Sequence, residues 1–384
     1  MSTARRATLA AALGWAAVLC AVLFAQTYVR ARRPNGIDLT SYLLSAHALL
    51  EGRSPYLLPT PFPYLYPATL AFLLIPFTVV SPMAAVLVWF ALNVAAAVWS
   101  VRAVLLQTRP DLANRSAEVV GFLAVFFTVF FSIAQSNLRN GQVNPIVLAL
   151  CTFAAFSPRE MGQPISWSLA VAIKIFPLAL LPYFLLRRSW LWLAAAVALI
   201  AVWCLLPAVV VGTRIVGIYE QYWRVFLVMS LEPRRLPLDF SLAGTIAWIA
   251  RVPMTPVLTA SAAAVVLGWI LQADARRLRQ QDVARGFGPA NVRAFALYSL
   301  AIPLVSPHSE AHHLAFMLPA AAVAGAALWC DWPQAGRPLT IASAIAAALY
   351  IAATAAPIAS GPLFCAALIA FGVAVVQTRD AVHH

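Results

Sequence analysis

Asp38, Lys174 and the stretch Ser306–His313 carry the side chains with the most chemistry open to them in this sequence. Asp38 falls in Asn35-Gly36-Ile37-Asp38, ahead of Tyr42, Ala46, Leu49 and Leu50 at helical spacing. A carboxylate there either caps the first turn of a short amphipathic helix or acts as a general base at a membrane surface. Lys174 is the one lysine among 26 basic residues. Arginine serves for ordinary loop charge, so a lone ammonium near the middle of the apolar run Ile165–Leu186 has a separate task. It meets a phosphate or carboxylate in a cavity, or it binds backbone carbonyls freed by Pro177.

Ser-Pro-His-Ser-Glu-Ala-His-His, Ser306 to His313, holds three of the six histidines, His308, His312 and His313, with Ser309 and Glu310 between them. His308 and His312 stand at i and i+4, a spacing that can ligate a metal, but the order is not HExxH and no second ligand cluster is visible in the sequence. Phosphate or sugar contacts suit these donors better, and no metal is expected. A fourth polar stretch, Leu138-Arg-Asn-Gly-Gln-Val-Asn-Pro145, sets Arg139, Asn140, Gln142 and Asn144 between two apolar runs. Gly141 permits a sharp turn there, and Pro145 can open the next helix. Tyr56, Tyr64 and Tyr66 lie in the Pro-rich half of loop 30–67. They suit an interfacial wall for a sugar or headgroup, and equally an aromatic belt at the membrane surface.

The elements that must position these groups are membrane spans. With 384 residues, 62% hydrophobic and 10% charged, and a mean hydropathy of +0.84, the chain reads as an all-α polytopic membrane protein. Runs such as Trp190–Val211 exclude the short alternating strands of an outer-membrane barrel. The formal charge of +13 resides in arginines gathered in connectors, where they orient the protein and meet the anionic lipid of the bilayer, so no nucleic acid is expected as a partner. Cys20, Cys151, Cys204, Cys330 and Cys365 lie in or beside apolar runs without a CxxC pair, which indicates packing rather than a disulfide or metal framework. Leu9–Val29 is longer than the core of a cleaved signal and meets Arg30, Arg32 and Arg33, so it is read as the first span.

Further spans are expected at about 68–81, 83–106, 117–135, 145–157, 165–186, 190–211, 254–272, 294–306, 314–330, 339–357 and 361–376, roughly twelve in all, with 240–250 too short to assign. The connectors 30–67, 212–239 and 273–293 are the longest. Arg276, Arg277, Arg279, Arg285 and Arg293 make 273–293 a basic cytoplasmic loop; Arg5 and Arg6 place the N-terminus on the same side, and 30–67 becomes the first extracytoplasmic loop. Strict alternation then puts 107–116 and 136–144 on the wrong sides, so one segment among 68–135 is expected to be re-entrant, or broken at Pro76 or Pro82. Neither an internal repeat nor a soluble domain is evident, and 1–384 forms a single integral membrane domain.

Absent motifs narrow the chemistry. The sequence has no GxxxxGK loop, no GxGxxG after a strand, no GxSxG elbow and no DxD pair. An activated substrate that needs neither nucleotide nor soluble domain fits, and lipid-linked sugar phosphates have that character, with no cofactor required. A secondary transporter would share the lone intramembrane charges, but it would hold them near the midplane of repeated halves, whereas Asp38 lies in a long outward loop. A flippase for lipid-linked sugars or a polysaccharide polymerase would share the lipid-phosphate contacts without needing a base beside an acceptor hydroxyl.

Taken together, Asn140-Gly-Gln-Val-Asn144, Lys174-Ile-Phe-Pro177 followed by Arg187-Arg188-Ser-Trp190, the Ser-Pro and His-His pattern of 306–313, and Gly36-Ile-Asp38 with Gly52-Arg-Ser-Pro-Tyr56 resemble glycosyltransferase family 87, in consistent order over about residues 1–330. Two places depart from that pattern: Glu310 stands where the family often has Trp, and an NQS-like element reads Leu238-Asp239-Phe240-Ser241-Leu242. The resemblance implies a GT-C type fold with about 12 transmembrane helices and short interfacial helices on the outward-facing first loop. It implies a multi-pass protein of the bacterial inner membrane with its active site on the extracytoplasmic side. The implied reaction moves a hexose, most often mannose in this family, from a polyprenyl-phosphate donor to a glycolipid or glycan acceptor, with inversion to an α linkage. On that reading Asp38 is the catalytic base; Lys174, Arg139, His312 and His313 bind the donor phosphate; and Asn140, Gln142, Asn144, Tyr56, Tyr64, Tyr66, Ser309 and Glu310 contact sugar or acceptor.

Overall fold

The computed structural model describes residues 3–60, 62–231, 239–280, 289–331, 337–355 and 360–378. Regular structure among them is helical throughout, as a lipid solvent requires, because only a helix or a closed barrel satisfies its backbone where water is absent. Helix α1, Thr3–Ala31, is the first span, and α2, Asp38–Leu50, follows in the first loop. The six-residue α3, Ala68–Leu73, leads through a 3₁₀ turn at Ile75–Val79 to α4, Pro82–Thr108, which Ser81 caps by accepting from the Ala84 N–H at 3.3 Å. Helices α5, Ser116–Val129, and α6, Phe131–Asn140, meet at Phe130 with a 76° bend, the geometry of a broken span or a re-entrant loop.

After α6 come α7, Asn144–Phe156, and α8, Gly162–Ile173. A 3₁₀ turn over Phe176–Leu180 joins α8 to α9, Leu181–Arg187. Helix α10, Trp190–Leu205, runs through the short α11, Ala208–Val211, into α12, Ile215–Leu231. The chain closes with α13, Leu242–Ala250; α14, Pro256–Gln280; α15, Pro289–Val305; α16, Leu318–Asp331; α17, Arg337–Ala355; and α18, Ser360–Gln377.

Among the described residues, seven helical segments are long and apolar enough to cross a membrane, or eight if α5 and α6 count as one span, against the twelve expected. The difference has local causes. The expected span 68–81 is broken ahead of Pro76, and 165–186 is broken at Lys174 ahead of Pro177, where a helical backbone loses a donor and meets a clash. Helices α7 and α15 are short of spanning length, and Val292–Ile302 of α15 is buried on every face, so its apolar run packs inside the bundle rather than against lipid. The connector expected at 212–239 is helical as far as Leu231, its remainder 232–238 lying outside the described residues. In the basic loop 273–293, α14 extends to Gln280; Arg285 lies outside the described residues.

One continuous apolar cluster ties α2, α4, α7, α8, α9, α15, α16 and α18 together. The outer helices instead present bare apolar side chains: Leu191, Val209, Val216 and Val257 are each more than 70% exposed, a surface that fits lipid tails.

Candidate active site

The bend at Gly141 brings three distant segments together. Gly141 takes φ +66°, a left-handed conformation that ends α6, and Pro145 occupies the first turn of α7. A Cβ on Gly141 would stand 2.8 Å from Ile37 Cδ1 and 3.2 Å from Leu39 Cβ, so only glycine lets the turn lie against the start of α2. Trp89 Nε1 of α4 donates to the Gly141 carbonyl at 2.9 Å and fixes the turn from behind. The next residue, Gln142, thereby reaches Asp38: its Nε2 donates to Asp38 Oδ2 at 2.6 Å. Tyrosines fix the amide's orientation. Tyr66 Oη donates to Gln142 Oε1 at 3.1 Å, and Tyr42 Oη donates to Tyr66 Oη at 2.8 Å.

Asp38 is the first residue of α2 and does not cap it; Thr40 Oγ1 accepts from the Ile37 N–H instead. Its carboxylate is left for the cavity. Burial pushes the Asp38 carboxyl up to about 6, with Glu310 adding to the rise and the Gln142 hydrogen bond, Lys174 and Arg30 opposing it. A carboxylate in that range is a usable proton acceptor near neutral pH.

Lys174 lines the same cavity as Asp38. It is the residue at which α8 gives way to extended backbone, φ −150° and ψ 128°. The residue is 7% exposed, and its Nζ donates to Asn144 Oδ1 at 2.8 Å, lies 3.0 Å from His313 Nε2, and rests over the rings of Phe176 at 5.0 Å and Tyr66 at 5.3 Å. Asn144 is a bridge. Its Nδ2 donates to Asn137 Oδ1 at 3.2 Å and to the His312 carbonyl at 3.0 Å, which joins α6, α7 and the histidine segment. His313 Nδ1 accepts from the Glu310 N–H at 3.1 Å.

These groups line a cavity of about 300 Å³ that includes Arg30, Asp38, Tyr66, Asn140, Gln142, Lys174, His308, Glu310, His312 and His313. A second cavity of about 640 Å³ lies beyond, sharing Asn140, His308, Glu310 and His312 as its wall and adding Ser132, Ser136, Phe240, Thr354 and Phe364. Asn140 Oδ1 is buried with no hydrogen-bond partner among the described residues. The histidine segment ends in a carboxylate: His308 Nε2 lies 2.7 Å from Glu310 Oε1, and His308 Nδ1 lies 3.4 Å from Asp239 Oδ2.

Of the residues singled out in the sequence, the structure brings Asp38, Asn140, Gln142, Lys174, Tyr66, Glu310, His312 and His313 to one cavity. The others stand back from it. Arg139 does not line the cavity, and Arg30 at the end of α1 supplies the guanidinium there. Tyr56 donates to the Tyr66 carbonyl at 2.8 Å, and Tyr64 donates to the Pro67 carbonyl at 2.9 Å, so both pack behind Tyr66. Asn144 is wholly buried and holds Lys174, and Ser309 is buried with its N–H bound to Asp239 Oδ1 at 3.1 Å. Arg30, Asp239 and Tyr42 escaped sequence reasoning. Arg30 was indistinguishable from loop charge, and Asp239 stood out solely as a departure from a motif.

Comparison with known proteins supplies a separate finding. Residues 64–307, more than half of the chain, match Glycosyltransferase family 87. That stretch takes in Gln142, Asn144 and Lys174, while Asp38 and His308–His313 lie beyond its ends. A polyprenol-phosphate-mannose-dependent alpha-(1-2)-phosphatidylinositol mannoside mannosyltransferase of Mycobacterium tuberculosis is 29% identical over 321 residues, which cover 77% of this chain and 71% of that relative. A protein of the same description from Mycolicibacterium smegmatis is 27% identical over 342 residues, 82% of this chain and 76% of that relative.

Proposed function

Because this chain belongs to glycosyltransferase family 87, a family of membrane glycosyltransferases, we propose that it transfers mannose from polyprenyl-phosphate mannose to a hydroxyl of a glycolipid or glycan acceptor. The observation that carries this reading is the placement of a carboxylate, Asp38, and an ammonium, Lys174, on one cavity. The acceptor hydroxyl gives its proton to Asp38 while its oxygen attacks the anomeric carbon. The bond from that carbon to the phosphate oxygen breaks, and polyprenyl phosphate leaves with the electron pair. Attack opposite the leaving group inverts a β-linked donor to an α-linked product. Lys174, Arg30 and His312 meet the phosphate's growing charge, while Asn144 and His313, both against Lys174 Nζ, hold the ammonium in position.

A lipid donor also needs an apolar berth. A cavity of about 230 Å³ between α1, α4 and the α5–α6 bend is lined by Leu19, Leu23, Val98, Phe127 and Leu138, and its wall includes Asn137, whose Oδ1 accepts from the Asn144 that holds Lys174. It suits part of a prenyl chain. The arginine-rich connectors support an inner-membrane orientation with the site outward. Radiolabelled polyprenyl-phosphate mannose and a panel of mannolipid acceptors, given to the purified protein in nanodiscs, test the reading. Transfer by the wild type that vanishes in Asp38→Asn upholds it. An inert wild type that moves the lipid-linked sugar across sealed proteoliposomes replaces it with a transporter.

A further inference from the structure

Asp239, His308 and Glu310 form a chain that runs from the closed interior to open space. Asp239 has a side chain 2% exposed, His308 24% and Glu310 50%. The buried end is rigid. Asp239 Oδ1 accepts from the Ser241 N–H at 2.9 Å and from the Ser309 N–H at 3.1 Å, and the Phe240 N–H donates to the Ser309 carbonyl at 2.8 Å, so the two segments are stitched together around the carboxylate. A Cβ on Gly244 would stand 2.5 Å from Asp239 Cγ; only glycine lets the first turn of α13 close over it.

Both nitrogens of the His308 ring face carboxylate oxygens, and a ring that donates from both is an imidazolium. Burial opposes that charge, but the hydrogen bonds to Asp239 and Glu310 outweigh it and raise His308 to about 9. Glu310 in turn is pulled down to about 2, chiefly by its hydrogen bond from His308 and against its own burial, so it is ionised throughout the working range. Its Oε1 is held by His308 at 2.7 Å, while Oε2, with His312 Nδ1 3.5 Å away, keeps lone pairs for a ligand.

What Glu310 would meet follows from its place. It stands on the wall between the two cavities, and the larger one has no lysine or arginine in its lining. Its one cation, the His308 imidazolium, is already matched by Asp239 and Glu310, so that cavity brings no free positive charge to a phosphate. It offers Ser132, Ser136, Asn140 and Thr354 for hydrogen bonding and the faces of Phe240 and Phe364, whose rings lie 4.6 Å apart, for apolar contact, a set that fits a neutral, hydroxyl-bearing ring. Resting on the glycosyltransferase reading, we propose that Asp239 and His308 are positioning residues that hold Glu310 as a preorganised hydrogen-bond acceptor for hydroxyls of the acceptor sugar, so that Glu310 selects which hydroxyl is presented to Asp38. Fixing the carboxylate in advance removes the ordering cost that a free glutamate would incur on binding.

The test separates the two substrates. Full-length wild type, Glu310→Gln, His308→Gln and Asp239→Asn in nanodiscs are compared for KM of a mannolipid acceptor at saturating donor, and for KM of polyprenyl-phosphate mannose at saturating acceptor. Loss of one charged hydrogen bond should raise the acceptor KM about ten- to a hundredfold in Glu310→Gln, with the loss falling in KM rather than kcat. His308→Gln cuts the chain without touching the backbone bonds of Asp239, and it should give a smaller rise in the same constant, as should Asp239→Asn where it folds. An unchanged acceptor KM in Glu310→Gln, or a rise confined to the donor KM, overturns the proposal. Failure of the wild type to consume the donor would instead sink the glycosyltransferase reading. Saturation-transfer NMR with methyl α-mannoside then still tests Glu310: a weakened signal in Glu310→Gln supports the sugar contact, and an equal one removes it.

Discussion

Two buried clusters of charge stand at opposite ends of the segment 174–187, and they differ in one respect. At its far end Arg187 is closed on every side: it pairs with both oxygens of Asp274 at 2.6 Å, its Nε donates to Asn291 Oδ1 at 2.8 Å, and its guanidinium rests 4.5 Å from the Tyr183 ring centre. At the near end, Lys174 belongs to a group that includes Asp38 with a single hydrogen-bond donor, a half-exposed Glu310 and the unpartnered Asn140 Oδ1, all around a cavity. The first arrangement locks α9 to α14 and α15. The second waits for a ligand. A charge buried in a membrane protein is thus not functional in itself; what marks function is hydrogen-bonding capacity left open beside space for a ligand.

Removing a carboxylate from each end should give opposite results. Asp38→Asn deletes the proton acceptor, and kcat/KM should fall by about 10²–10⁴. The same change should stabilise the fold. Asp38 is held near 6 by burial, so its ionisation at neutral pH works against folding by on the order of 2–3 kcal/mol, and an amide escapes that penalty. Asp274→Asn should do the reverse: it leaves the Arg187 charge buried with one partner lost, at a cost of about 3–5 kcal/mol, while activity per folded molecule stays intact. Thermal melting and initial rates measured on both variants decide the matter. If Asp274→Asn impairs rate without lowering the melting temperature, the closed cluster has a function that its geometry does not reveal.

The pH profile sharpens the same contrast. An acid whose pKa rises on folding costs no stability below its unfolded value near 4, a growing amount between 4 and 6, and the full amount above 6. Activity runs the other way, because only the ionised carboxylate accepts a proton. Rate should therefore climb about tenfold per pH unit toward a bend near 6 while stability declines over the same interval, and Asp38→Asn should flatten the stability change. A second bend near 9, where His308 loses its proton, is expected if the relay to Glu310 matters.

How much of this was legible beforehand follows from the kind of signal each part leaves. Long apolar runs announce spans, and Asp38, Gln142 and Lys174 stood out because each is rare in its setting. The broken segments at Pro76 and Lys174 inflated the span count, since hydropathy records composition and is blind to a backbone that leaves the helix. Tertiary direction was the harder loss. Arg139 and Arg30 look alike in sequence, and Arg30 is the one that lines the cavity. Asn144 reads like Asn140, yet one is sealed against Lys174 and the other opens onto two cavities. Asp239 acts through His308, 69 residues on, a pairing that no local pattern encodes.

The smallest expected effect probes how firmly the open cluster is braced. Tyr66→Phe removes the hydroxyl that donates to Gln142 Oε1 at 3.1 Å, and with it the restraint that turns the Gln142 amide nitrogen toward Asp38. Tyr42 Oη, already 3.5 Å from the same oxygen, can take over part of that bond once its partner is gone. The net loss should therefore be near 1 kcal/mol, about fivefold in kcat, with little change in either KM. Tyr42→Phe alone should cost still less, whereas the double variant should lose more than the product of the two single changes, because neither hydroxyl is left to orient the amide. A hundredfold loss from Tyr66→Phe alone would mean that Tyr66 touches the reacting groups directly. A double variant that merely multiplies the single effects would mean that the tyrosines do not share the task of holding Gln142.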